Sequence, residues 1–146
     1  MTENPYLHSA TPPPSAGTTE VLNRAECWRL LGITRIARLA VVDEDGPDIF
    51  PINYLVTGDS LFFRSAPGKK IIDLTKYPRV AVEIDGTEGG KRFSVVLRGE
   101  AHRLSDDADI RGSAIDSLPT LTGSEKWNYF EVVPRTVTGI RFRASR

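Results

Sequence analysis

Three turn signals cut the stretch from residue 36 to residue 104 into apolar runs of strand length, and this punctuation limits the fold more than any single motif. Asp43-Glu44-Asp45-Gly46-Pro47, Gly58-Asp59 and the glycine-rich polar loop at residues 86–91 are all turn chemistry. With the corner at residues 66–78 as a fourth break, the runs predict strands at residues 36–42, 48–57, 60–65, 79–85 and 93–104, and a last one follows at residues 136–142. The clearest is 79–85, where Val80, Val82 and Ile84 share one side and Arg79, Glu83 and Asp85 the other. In the longest run Phe93, Val95, Leu97 and Ala101 share a face, Gly99 allows a bend, and His102 reads as a surface residue opposite that face. Six strands joined mainly by tight turns, with only short helices between them, predict a mainly β fold. The expected architecture is an antiparallel six-stranded barrel, whose closure removes exposed strand edges.

The chain of 146 residues is long enough for one domain with a real core and too short for two typical ones. Residues 1–19, rich in proline, serine and threonine, read as a flexible arm, and residues 20–146 as a single domain. Equal numbers of basic and acidic residues argue against a nucleic-acid or membrane-surface partner. A single cysteine, Cys27, excludes an internal disulfide or a cysteine-rich zinc site, and His8 and His102 are too few for most metal centres. No apolar run reaches bilayer length and the N-terminus lacks the layout of a leader, so a cytoplasmic setting is the default expectation.

Asn23 and Glu26 have capping-box spacing ahead of Cys27, Leu30 and Leu31 at i, i+3, i+4, which predicts a helix over residues 24–31 with the thiol buried. A second short helix is expected around Ile71, Leu74 and Thr75, ending near Tyr77 because Pro78 disfavours helical geometry before it. A third is expected to start at Ser105, and a loop at residues 119–126. Trp127, Tyr129 and Phe130 read as a core plug or a subunit contact.

The chemistry-bearing stretch is the corner between Phe63 and Leu74. Lys69 and Lys70 fall in the first turn of the expected helix, where a positive charge costs about 0.3–1 kcal/mol against the helix dipole. An anion would offset that repulsion. Arg64 and Ser65 end the preceding strand, so guanidinium, hydroxyl, ammonium groups and open amides suit a phosphate. The plainer reading makes both lysines solvated surface residues, since no P-loop or dinucleotide fingerprint accompanies them. Pro51 likewise admits two readings: a bulge or open edge that leaves main-chain groups to meet a ligand, or an edge strand that merely tolerates proline.

With these pieces in order, the chain resembles the flavin-binding split-barrel family, specifically the pyridoxamine 5'-phosphate oxidase-like proteins. The matching segments are Glu26-Cys27-Trp28-Arg29-Leu30-Leu31, Ile36-Ala37-Arg38-Leu39-Ala40-Val41-Val42, Pro51-Ile52-Asn53-Tyr54 and Phe63-Arg64-Ser65-Ala66-Pro67-Gly68-Lys69-Lys70. Val80-Ala81-Val82-Glu83-Ile84-Asp85 and Ser94-Val95-Val96-Leu97-Arg98-Gly99-Glu100-Ala101 complete the set, which spans roughly residues 20–142. The resemblance implies FMN, with deazaflavin coenzyme F-420 as the alternative cofactor. It implies that Arg64, Ser65, Lys69 and Lys70 hold the phosphate and that backbone at Pro51, Ile52 and Asn53 faces the ring. It further implies a homodimer with the flavin between two barrels, Trp127 closing the site from the partner, and oxidoreductase chemistry on a small acceptor or, failing turnover, a flavin-binding redox sensor. The C-terminal Gly139-Ile140-Arg141-Phe142-Arg143-Ala144-Ser145-Arg146 departs from the Arg-and-His segment with which authentic oxidases grip the vitamin phosphate, so another acceptor is expected.

Overall fold

The computed structural model describes residues 19–65, 73–105 and 128–143. Its strands are β1 (Thr19–Val21), β2 (Ile36–Asp43), β3 (Gly46–Thr57), β4 (Ser60–Ser65), β5 (Arg79–Glu88), β6 (Lys91–Arg103) and β7 (Asn128–Arg143), with helix α1 (Arg24–Ile33) after β1 and a 3-10 turn (Asp73–Thr75) after β4. The sheet runs β7-β4-β3-β2-β5-β6, and β6 pairs back onto β7, which closes the expected six-stranded antiparallel barrel. The seventh strand, β1, is an addition at the boundary of the expected arm. All three of its residues are exposed and it is held by its ladder to Ile140–Phe142, so no burial pattern marks it in the sequence. The rest of the arm lies outside the described residues.

Alternation along each strand places one face inward. Leu39, Val41, Tyr54, Leu61, Phe63, Val82, Ile84, Val95, Leu97 and Val132 fill the barrel, each at most 3% exposed. Phe63 and Phe130 stack across the β4–β7 seam with centroids 5.1 Å apart. Phe130 thus belongs to the core, and β7 begins at Asn128 rather than at residue 136 as the sequence suggested. The strand absorbs Pro134 at a bulge opposite Arg98 and Gly99. The supposed loop at residues 86–91 is also mostly strand, since Glu88 pairs with Lys91 and only Gly89 and Gly90 turn, both at positive φ.

Helix α1 forms as its spacing requires. Asn23 Oδ1 accepts the Glu26 amide at 2.8 Å, and Cys27, Leu30 and Leu31 are buried against the barrel. The Tyr54 hydroxyl donates to the Leu31 carbonyl at 2.6 Å, fixing the helix end to β3. Burial pushes the Cys27 thiol up, in keeping with a packed core residue. Only the 3-10 turn of the second expected helix is described; Ile71, and the third helix with the loop behind it, lie outside the described residues.

An ion-pair network fastens α1 to the sheet. Arg29 donates to Glu26 and Glu88, each at 2.6 Å, while Arg141 donates to Glu26 at 2.9 Å and to Glu20 at 3.2 Å. Hydrogen bonds from Arg29, then from Arg141, pull the Glu26 carboxyl from its ordinary 4.5 down to about 2. A carboxyl depressed on folding adds stability that is full above its unfolded value and lost as pH falls through the folded one. Thermal midpoints should therefore hold from neutrality down to about pH 5 and then drop toward pH 2. Glu26→Gln should be less stable at neutrality and show a shallower acid slope, measured by unfolding across that range. Equal acid slopes in both proteins would contradict the assignment.

Candidate functional site

The hairpin of β2 and β3 decides which main-chain groups of Pro51, Ile52 and Asn53 are available. Tyr54 N donates to Arg35 O at 3.3 Å, so the amide of Tyr54 faces β2. In an antiparallel pair this direction alternates, so Ile52 also faces β2 while Pro51 and Asn53 turn toward the other edge. That other edge pairs with β4 only from Tyr54 to Thr57. The β2–β3 register is continuous, with Pro51 opposite Arg38, so no bulge occurs there. The missing proline N–H falls on the side of β3 away from β2, so the β2–β3 ladder loses no hydrogen bond to it.

Arg64 and Ser65 end β4 on the rungs Arg64↔Tyr129 and Ser65↔Asn128. Successive strand residues point to opposite faces, so Ser65 lies on the inner side with Phe63 and Arg64 on the outer side with Phe62. A ligand touching both must therefore sit at the strand end. Phe62 packs there with Leu55, Leu104 and Tyr129. Asn53 lies one register step beyond the Tyr54↔Phe63 pair, which sets Asn53 beside Arg64 on the outer face. Ile52 is 4% exposed with its side chain in the core, so it offers neither side chain nor amide to this surface. Lys69, Lys70 and Trp127 lie outside the described residues.

Sequence reasoning missed Arg38 as a neighbour of Pro51. The outward Arg38 side chain donates to Glu83 at 2.8 Å and to Asp85 at 3.3 Å. Counting residues outward from the Asp43–Gly46 turn pairs 38 with 51, so the signal was present in the hairpin length. Around it the outer face is apolar: Ile36, Val42 and Ile49 are 55%, 54% and 59% exposed. Across the hairpin their register partners are Asn53, Pro47 and Ala40. Among the described residues no cluster of His, Cys, Asp and Glu is placed to hold a metal, and no helix is long and apolar enough to cross a membrane.

A closed six-stranded antiparallel barrel with a helix packed on its side defines the split-barrel class. The family model for pyridoxamine 5'-phosphate oxidase matches residues 23–141, and the chain belongs to that family. A solved FAD binding protein from Mycobacterium smegmatis is 30% identical, with a TM-score of 0.73 and coverage of 86% of this chain and 100% of that one. A FAD-binding protein from Mesorhizobium loti is 26% identical, with a TM-score of 0.76 over 86% and 98% of the two chains. An uncharacterised protein of Rhizobium meliloti is 28% identical over 123 residues, 82% of either chain.

Proposed function

We propose that this chain is a flavin-dependent oxidoreductase that binds its cofactor in a groove between two copies of the barrel. The observation that carries the reading is the family match over residues 23–141, taken with the end of β4 at Arg64 and Ser65, which leads into the lysine-bearing corner. Main-chain groups of Pro51 and Asn53 are directed at the ring, and Arg64, Ser65, Lys69 and Lys70 hold the phosphate. Ile52 serves by positioning that edge from the core. FMN is the form implied by the family resemblance; the two relatives named for FAD support a flavin, and deazaflavin F-420, whose anionic tail the lysine corner would serve equally well, is the alternative.

The exposed Ile36 and Ile49 supply the apolar centre that a second copy covers, in the manner of a homodimer interface. Trp127 then reaches the site from the partner subunit. Flavin supplies the electron-transfer chemistry, so the protein needs to bind, orient and shield rather than to provide a nucleophile. The substrate is a small redox-active acceptor.

Titrating FMN, FAD and deazaflavin F-420 into flavin-free protein tests the reading. The cognate cofactor at a hundred times its dissociation constant should stabilise the fold by about 2.7 kcal/mol, visible as a raised thermal midpoint. No shift with any of the three would contradict it.

A further inference from the structure

A second cationic site sits elsewhere on the outer face, over β2, β5 and β6. Arg98 pairs with Thr136 and Gly99 with Pro134, which leaves Arg135 as the extra residue of the β7 bulge. A bulge re-aims its side chain, and Arg135 here lines a cleft of about 360 Å³ together with Arg79 and Arg98. The floor includes Ala40, Val42 and Ala81, and among the described residues no carboxylate lines the cleft. Elsewhere in the fold Arg29, Arg38 and Arg141 each engage two carboxylates. Arg79, Arg98 and Arg135 engage none among the described residues. Glu100 is the register partner of Arg79 and lines an adjoining hollow with it, but no ion pair joins the two, and Glu100 approaches His102 at 3.8 Å instead.

Three like charges gathered over an apolar floor repel one another unless an anion joins them. Guanidinium forks match the planar oxygens of a carboxylate or phosphate, and the volume lies at the small end of ligand pockets. We propose that this cleft binds a small molecule that couples an oxyanion to an apolar body. The site is separate from the edge at Pro51 and Asn53, and the proposal does not rest on the flavin reading.

Calorimetry on the full chain, flavin-free and flavin-loaded, tests it with benzoate, phenyl phosphate, inorganic phosphate and neutral benzamide. Benzoate or phenyl phosphate should bind about tenfold or more tightly than benzamide, and phenyl phosphate more tightly than inorganic phosphate. Which of the two aromatic anions binds better identifies the oxyanion. Arg98→Gln with Arg135→Gln, both at exposed positions, should lose about tenfold or more of that affinity with the unfolding midpoint unchanged. Arg79→Gln, tested alone, should weaken the same ligand. Equal binding of benzamide, undiminished binding by the variants, or displacement of the aromatic anion by FMN would overturn the proposal.

Discussion

Lys69→Ala combined with Lys70→Ala is expected to weaken flavin binding by about 100-fold or more and to leave the flavin-free fold intact. Each ammonium that hydrogen-bonds a phosphate contributes about 1.5–3 kcal/mol, so losing two removes at least two decades of affinity. Without the phosphate, the same two charges sit at an expected helix start where they oppose the dipole. The flavin-free variant should therefore unfold at or slightly above the midpoint of the parent. Fluorescence titration and thermal unfolding of one preparation give both quantities. Retained affinity with a lowered midpoint would make the corner structural and leave the phosphate to other groups.

The second large effect is expected at Gly99→Ala. A β-carbon there would lie 2.1 Å from the Val133 carbonyl oxygen and 2.9 Å from its carbon, both main-chain atoms that cannot rotate away. The bulge must open or the strands must part. We expect a loss of about 3 kcal/mol or more in denaturant unfolding, at the upper end for an overpacked site. Gly32→Ala is the control, because nothing lies within 4 Å of a β-carbon at that helical position. It should raise stability by about 0.5–1 kcal/mol. A cost below about 0.5 kcal/mol at Gly99, the range of ordinary surface changes, would mean that the seam between β6 and β7 is loose there.

The contrast between these glycines shows which parts of the fold were legible in advance. Helix α1 and the alternation of Val80, Val82 and Ile84 were readable because a local repeat and a buried face coincide in them. Gly99 was marked for a bend, yet the bulge itself depends on Pro134 and Arg135, thirty-odd residues away, and no local pattern reports such a pairing. For the same reason β7 was entered too late: its first rungs exist because Phe130 meets Phe63. Strand β1 hides nothing, so it leaves no hydrophobic trace.

At the candidate site, Pro51 stands out in the sequence for lacking a donor, but the direction of its neighbours' amides follows from the parity of the β2–β3 ladder. That parity separates Pro51 and Asn53 from Ile52. The cleft at Arg79, Arg98 and Arg135 draws on strands far apart in the chain and could not be read as a motif.

The central claim is that a flavin is clasped between two such barrels. The most direct measurement is the absorbance spectrum of the purified protein, taken with the mass of the chromophore released on denaturation and the sedimentation mass of its carrier. Flavin-type bands, a released FMN, FAD or deazaflavin equimolar with subunits, and a dimeric carrier are the predicted result. A colourless monomer that takes up none of the three when they are supplied would contradict it.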